Sequence, residues 1–238
     1  MAATRNSILE LRYIRMRNSA EDQMRRNSDF LEKAAGPALE RAGVSTLGFF
    51  APVIAEESPF LLVLSAFPSL AAMDAVREKE AQDPEYRKGR AAHNALPGQS
   101  YVRLDSSLLR CFDGMPAVTP PPARTEGARI FELRMYESDN ASTLARKIKM
   151  FNDAEISIFE RLGMRPVFFA ETIVGARMPN LVYMLAFDDL ASRDKLWRAF
   201  GADPEWQKLS SQPGNSNAEI VSNISNSILR PLAFSRIR

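Results

Sequence analysis

The chain repeats itself at a spacing of about 120 residues, and this repeat limits what it can fold into. Residues 59–112 align with residues 179–232 without a gap. This range includes the match of Asp83-Pro84-Glu85 with Asp203-Pro204-Glu205. Two further matches are Glu40-Arg41-x-Gly43 with Glu160-Arg161-x-Gly163 and Ile8-x-Glu10-Leu11-Arg12 with Ile130-x-Glu132-Leu133-Arg134. Solenoid repeats are only about 20–50 residues long, so this period indicates two duplicated domains. We expect them at residues 1–113 and 129–238, joined by a proline-rich linker at residues 114–128.

The pattern of apolar residues predicts the same order of elements in both copies. The first copy has strands at residues 8–16, 47–54, 60–67 and 104–112, and the second at 130–136, 165–174, 180–187 and 224–232. Helices are predicted at 20–42, 69–80 and from Asp83-Pro84, and then at 142–162, 189–200 and 204–210, with a break at Gly36-Pro37. Each copy therefore has the β-α-β-β-α-β order of a ferredoxin-like domain. We expect an α+β protein in which tandem ferredoxin-like domains form a pseudo-two-fold α+β barrel.

Composition and missing motifs exclude several classes of function. Basic and acidic residues nearly cancel, at 31 and 29, and form no basic stripe, so no nucleic-acid partner is expected. Cys111 is the only cysteine, which excludes an internal disulfide and a multi-cysteine metal site. The sequence has no membrane-span pattern, and its first strand begins too early for a leader, so we expect a cytoplasmic protein. It also has no Gly-rich phosphate loop or His-Glu-x-x-His motif, so we expect no cofactor and no metal.

Charged residues at alternate positions of the first strand of each copy are the best candidates for ligand binding. Glu10 and Arg12, like Glu132 and Arg134, share one face of a strand. If the intervening leucines face the helices, these charges line the space between the two sheets and would position an anionic or carbonyl-containing molecule. The alternative is a pair of structural ion pairs at a barrel mouth. Two arginines of the last strands, Arg110 and Arg230, would join the same cluster or lie on a solvated rim.

Glu155 is the second candidate for chemistry, beside Glu132. It falls near the middle of the apolar stripe of the helix at residues 142–162. Burial would raise its pKa and suit it to acid–base work, whereas a close arginine would lower that pKa. The alternatives are a structural ion pair and a position at the rim. The first copy has Ala35 at the equivalent position, so any role belongs to the second half alone.

Two other motifs have simpler interpretations. His93 is the only histidine and hence the only imidazole that could ligate haem, but its polar surroundings predict a surface position. The Asp-Pro-Glu-aromatic elements at Asp83 and Asp203 have the features of a helix start, with an N-cap, a proline and an acid in the first turn. In this interpretation Trp206 is a packing anchor.

The Glu-Leu-Arg opening, the Arg-x-Gly helix end and the Asp-Pro-Glu-aromatic element together resemble the NIPSNAP family over residues 8–112 and 130–232. The resemblance implies a fold of the dimeric α+β barrel class and no defined activity. Three functions remain open: binding or transforming a small organic molecule between the sheets, a non-catalytic interaction module, and a haem-binding or cofactor-free monooxygenase-like enzyme. We also expect whole chains to associate into a homo-oligomer of undefined order.

Overall fold

The computed structural model describes residues 6–122 and 127–238, so residues 123–126 of the predicted linker lie outside the described residues. The elements follow the predicted order in both halves. In the first half they are β1 (Ile8–Arg15), α1 (Gln23–Phe30), α2 (Gly36–Ala42), β2 (Leu47–Ile54), β3 (Phe60–Phe67), α3 (Leu70–Gln82), α4 (Pro84–Ala95) and β4 (Arg103–Cys111). In the second they are β5 (Ile130–Glu137), α5 (Ala141–Met150), α6 (Ile156–Arg161), β6 (Arg165–Val174), β7 (Asn180–Phe187), α7 (Leu190–Ala202), α8 (Pro204–Ser210), α9 (Asn217–Ile220) and β8 (Asn223–Pro231).

The eight strands form one closed antiparallel barrel in the order β1-β3-β2-β8-β5-β7-β6-β4. Each half supplies four neighbouring strands in the ferredoxin-like order. The two halves join edge to edge where β2 pairs with β8 and β4 pairs with β6. We call these two junctions the seams. Closure leaves none of the eight described strands with a free edge. The expected pseudo-two-fold α+β barrel within one chain is therefore confirmed.

The long helix of each half is interrupted by one π-helical turn. These turns span Leu31–Ala35 in the first half and Phe151–Glu155 in the second. The break predicted at Gly36-Pro37 therefore lies one turn earlier, and the chain stays helical through it. Pro37 is not its cause, because the turn recurs in the second half, where Ser157 occupies the equivalent position. Such turns are frequent at functional sites, and Glu155 ends the second one.

The barrel wall separates two kinds of core. Its interior contains side chains from both halves, including Leu9 and Leu11 of β1, and Phe50 lies edge-on to Phe131 with ring centroids 5.1 Å apart. The outer face of each sheet packs against its own helices. The end where β1 and β5 begin, the closed end, is packed with interior side chains that include Ile237 of the C-terminal tail. The opposite end, where β1 and β5 finish, is the open end.

The repeated sequence motifs hold the helices together. Asp203 accepts hydrogen bonds from the backbone N–H groups of Glu205 and Trp206, as a helix N-cap does. The same carboxylate accepts from Arg161 at 2.9 Å, and Asp83 is bound by Arg41 in the same way at 2.8 Å. The arginine of the Arg-x-Gly helix end therefore binds the aspartate of the Asp-Pro-Glu element in each half. The interpretation of the Asp-Pro-Glu element as a helix start is confirmed. Within the described residues, no helix is long and apolar enough to cross a membrane.

Candidate functional site at the open end of the barrel

The charged pairs of β1 and β5 lie on the helix-covered face, so the prediction that they line the inter-sheet space is wrong. Leu9 and Leu11 point into the barrel, and Glu10 instead reaches Arg77 of α3. The reason is that both faces of these strands are covered, one by the opposite sheet and one by helices. Period-two alternation separates the two faces of such a strand and does not say which face is the interior.

The carboxylates of these pairs are satisfied by neighbouring side chains. Glu10 accepts hydrogen bonds from Arg12 at 2.8 Å and Ser106 at 2.7 Å, and Arg77 is its third partner. Although burial acts to raise the pKa of Glu10, the neighbouring Arg12 and Arg77 outweigh it, and the pKa lies below its usual value. Glu132, the equivalent carboxylate in the second half, is likewise bound by neighbouring side chains.

Glu132 is fully buried and fully engaged. It accepts from Arg134 at 2.9 Å, from Arg193 at 2.6 Å and from the indole N–H of Trp197 at 2.7 Å. The guanidinium of Arg134 also lies 4.5 Å from the centre of the Trp197 ring. Pairing and hydrogen bonding of this kind make a buried charge tolerable. The structural ion-pair alternative accounts for these contacts, and a catalytic or ligand-binding role for Glu132 stays a prediction.

The other predicted ligand-binding residues, Arg110 and Arg230, also lie on the outside of the barrel. Both are exposed, and in the seams they stand opposite Glu171 and Ala51, respectively. A ligand-binding role for them together with the charged pairs of β1 and β5 stays a prediction. The solvated alternative describes their position.

Glu155 is buried beside a lysine. Lys147 Nζ donates to Glu155 Oε1 at 2.6 Å, and the two side chains are 1% and 3% exposed. Burial raises the pKa of Glu155, and Lys147 opposes that rise. The Lys147 ammonium also lies 5.0 Å from the Phe151 ring centre and 5.1 Å from that of Trp206. The structural ion pair considered for Glu155 is therefore present, and its cation is a lysine, not an arginine.

His93 is buried between α4 and α1 rather than at the surface, so that prediction is wrong. Its ring centre lies 4.8 Å from that of Phe30, and its backbone carbonyl accepts from Arg26 at 2.7 Å. Burial lowers the pKa of the His93 imidazole. The residues next to His93 on the chain are exposed, whereas His93 itself faces α1. The polarity of the segment therefore did not indicate the burial of this one position.

A cavity of about 480 Å³ opens at the open end of the barrel. Its inner part is apolar and is formed by Leu11, Phe60, Leu109, Leu133, Met135 and Val182. Its outer part is polar and carries six charged residues, Arg15, Arg103, Arg177, Glu56, Glu57 and Asp105. Volume and composition are those of small-molecule sites, which are mostly apolar with a few polar groups that fix orientation. This cavity is the candidate functional site.

Tyr13 stands on the wall of this cavity with an unused hydroxyl group. Its ring contacts Phe60 edge-on at 5.2 Å, and the guanidinium of Arg15 lies 4.4 Å from its centre. Within the described part of the chain its hydroxyl makes no hydrogen bond. Burial raises the pKa of Tyr13 to about 12, against the opposing effect of Arg15 and Arg177. The phenol is therefore protonated at neutral pH and available as a hydrogen-bond donor.

The rim arginines differ in how firmly they are paired. Arg15 Nε is 2.9 Å from Asp105, and Arg103 is 2.7 Å from Glu57. The Arg177 guanidinium is 3.9 Å from its nearest carboxylates, those of Glu56 and Glu137. Among the described residues, its only closer partner is Ser225 Oγ at 3.0 Å. Among these three arginines, Arg177 is the one most able to turn to an anionic group.

The two halves of the barrel place chemically different residues at equivalent positions of the cavity wall. Tyr13 and Phe60 of the first half correspond to Met135 and Asn180 of the second, and Arg177 of the second corresponds to Glu57 of the first. The wall from the first half thus carries the aromatic rings, two of the arginines and all three acidic residues. The wall from the second half carries Arg177 together with thioether, amide and hydroxyl groups. A ligand would enter such a cavity in one preferred orientation.

Sequence reasoning predicted a site between the sheets but missed the residues that line it. The alternation of Leu9, Leu11 and Tyr13 marked one face of β1 correctly. Two features of Tyr13 could have indicated the site: it carries a hydroxyl group on an otherwise aliphatic face, and its equivalent in the second copy is Met135. The rim residues Arg103 and Arg177 come from loops and strand ends, where no periodicity identifies partners.

Comparisons with known proteins agree with the fold and leave the chemistry undefined. The family model described as NIPSNAP matches residues 10–114 and 131–236. A protein from Fusobacterium nucleatum named "putative monooxygenase" superposes with a TM-score of 0.61 at 7% identity, over 96% of this chain and 93% of that one. A protein named anthrone oxidase-like superposes with a TM-score of 0.54 at 9% identity, over 98% and 94%.

A shorter protein from Burkholderia xenovorans, named an uncharacterized NIPSNAP-like domain protein, is 24% identical over 45% of this chain and 88% of its own, with a TM-score of 0.40. No curated protein matches the sequence significantly. At these identities the structural likenesses concern the fold alone.

Proposed function

We propose that this chain, which belongs to the NIPSNAP family, binds a small organic molecule in the cavity at the open end of its barrel. The observation that carries the proposal is the cavity of about 480 Å³, with its apolar inner part and charged rim. Binding requires no metal, because the cavity itself offers both an apolar surface and polar groups for orientation. The site predicted from sequence in the inter-sheet space is thus retained, with different residues lining it.

The lining residues define the chemistry of the ligand. The aliphatic and aromatic inner part would hold an apolar body, driven by the removal of apolar surface from water. The Tyr13 hydroxyl would donate to a carbonyl, phenolate or carboxylate oxygen. Arg177 would pair with an anionic group at the polar end of the molecule. If the molecule is also transformed, Tyr13 is the residue suited to donating a proton to it.

The proposal is tested with 1-anilinonaphthalene-8-sulfonate, a fluorescent probe with an apolar aromatic body and one anionic group. We expect it to bind wild-type protein once per chain. Ser227→Phe, which fills the cavity from β8, should abolish that binding, and Tyr13→Phe and Arg177→Gln should weaken it. Arg110→Gln is the matched arginine control on the outside of the barrel and should bind like wild type.

Circular dichroism would establish that each variant is folded. Binding by a folded Ser227→Phe variant with wild-type affinity would place the probe outside the cavity and refute the proposal. Native mass spectrometry of freshly purified protein would then show whether a natural small molecule occupies the cavity, and its mass should be absent from Ser227→Phe.

A further inference from the structure

Exposed apolar side chains concentrate at the open end of the barrel. The described residues include eleven large apolar side chains that are exposed, among them Leu70, Leu96 and Leu190. The other eight all lie at the end where the cavity opens: Val53, Ile54, Tyr101, Val102, Leu104, Val174, Met178 and Ile224. Single exposed apolar residues are ordinary, whereas a group of this size at one end of a molecule indicates an interaction surface.

These eight residues form two patches on opposite sides of the cavity mouth. One patch flanks the β2–β8 seam and contains Val53, Ile54 and Ile224. The other flanks the β4–β6 seam and contains the remaining five residues. The patches are related by the internal repeat, since Ile54 corresponds to Val174 and Leu104 to Ile224. We call the two patches together the apolar rim.

The position of the seams between the helical layers does not by itself explain the apolar rim. Toward the closed end, the same seams expose Arg110, Glu171 and Arg230 instead. Each seam therefore changes from charged to apolar along its length, and the apolar part is next to the cavity. A strand surface that only contacts water would be expected to be polar along its whole length.

We propose that the apolar rim docks the open end of the barrel on the surface of a lipid bilayer. The proposal goes beyond the proposed function and does not depend on it. Exposed aliphatic side chains would enter the boundary between headgroups and acyl chains, and Tyr101 is of the amphipathic type that favours this depth. The cavity mouth lies between the two patches, so the cavity would open toward the headgroup layer of the bilayer.

The charges of the cavity mouth favour a bilayer over a second protein molecule. Three arginines and three acidic residues line the mouth, most of them in ion pairs. A protein seated over the mouth would strip water from all of these pairs, and desolvation of ion pairs is costly. The hydrated headgroup layer would leave them solvated. Because the mouth is electrically balanced, zwitterionic headgroups complement it and anionic lipid is not required.

The test is co-sedimentation with sucrose-loaded vesicles of pure phosphatidylcholine. Wild-type protein should sediment with the vesicles, and 0.5 M salt should have little effect, since charge contributes little. The variant with both Ile54→Glu and Val174→Glu changes one residue of each patch, at positions that are 61% and 59% exposed. Its partition onto vesicles should fall by roughly tenfold or more, because two charges would have to enter the apolar boundary.

The control is the variant with both Leu70→Glu and Leu190→Glu. These two leucines are also related by the repeat, are 45% and 44% exposed, and begin α3 and α7 at the closed end. This variant should bind vesicles like wild type. All four positions are exposed, so circular dichroism and thermal midpoints should match wild type for both variants.

Three results would overturn the proposal. Wild-type protein that remains in the supernatant does not dock on phosphatidylcholine. Equal losses in the two double variants would assign binding to general surface hydrophobicity. Sedimentation equilibrium that shows a dimer dissociated by Ile54→Glu and Val174→Glu, without vesicle binding by wild type, would make the apolar rim a protein interface.

Discussion

Replacing Lys147 with methionine would leave the carboxylate of Glu155 buried without its counter-ion. The two side chains are almost completely inaccessible, and their N–O distance is 2.6 Å. Methionine fills a similar volume, so the change removes the charge with little loss of packing. Removing one partner of a buried ion pair costs about 3–5 kcal/mol of unfolding free energy. For a chain of this length, that corresponds to a fall of roughly 6–20 °C in Tm.

The size of this loss should depend on pH, with a definite sign. Glu155 already has a pKa raised above 4.5 by burial, and Lys147 restrains that rise. Loss of Lys147 would raise the folded-state pKa further, so the folded variant would hold a proton that the unfolded chain releases above about pH 4.5. Stability of the variant relative to wild type should therefore fall as the pH rises from about 4.5 to the new folded-state pKa, by about 1.4 kcal/mol per pKa unit.

The assay is urea unfolding followed by circular dichroism at pH 5 and pH 8. The matched control is Lys149→Met, which breaks the exposed ion pair between Lys149 and Asp153 on the same helix and should cost only a few tenths of a kcal/mol. The double variant Lys147→Met/Glu155→Leu removes both buried charges and should recover most of the loss. A single variant as stable as wild type at pH 8, or equally destabilised at both pH values, would refute this reasoning.

Three further outcomes can be checked by simple measurements. Trp206→Ala should lower the unfolding free energy by about 2 kcal/mol, less than the roughly 3–5 typical of fully buried aromatics, because Trp206 is only half-buried against Phe200; urea unfolding measures this. Cys111 should resist iodoacetamide until the chain unfolds, since burial raises its pKa to about 12; rapid labelling of folded protein would contradict this. The pKa of Asp83 is lowered to about 2 by Arg41, so its stabilising effect is present above about pH 4 and is lost as the pH falls toward 2; Asp83→Asn should flatten that part of the acid-unfolding curve.

The fold was predictable because its signals are redundant. A repeat of 120 residues, two sets of four apolar strands and two identical helix-start motifs all indicate the same pair of units. Closure into a barrel follows from the need to cover the open face of each sheet. The π-helical turns were not predictable, because the two turns share no proline or glycine that would mark them.

The site was less predictable for a different physical reason. A strand of this barrel is buried on both faces, so Glu10 and Arg12 and the alternating Leu9 and Leu11 are equally compatible with the interior. Which face is interior depends on distant partners, such as Arg77 on α3, and no local pattern identifies them. The buried position of Glu155 was predictable from its helical stripe, whereas its partner Lys147 lies eight residues away across a π-helical turn, outside the usual three-to-four-residue spacing.

The covalent connection between the two halves of the barrel has an evolutionary consequence. In a barrel made from two identical chains, every substitution occurs twice, so an aromatic wall on one side imposes the same wall on the other. Here Tyr13 faces a half that carries Met135 at its own equivalent position, and Lys147 and Glu155 have Asn27 and Ala35 as counterparts. Because the two halves are encoded separately in one chain, a substitution in one half leaves the other half unchanged. Such a barrel can hold one molecule in one orientation, which a symmetric barrel does only by breaking its own symmetry.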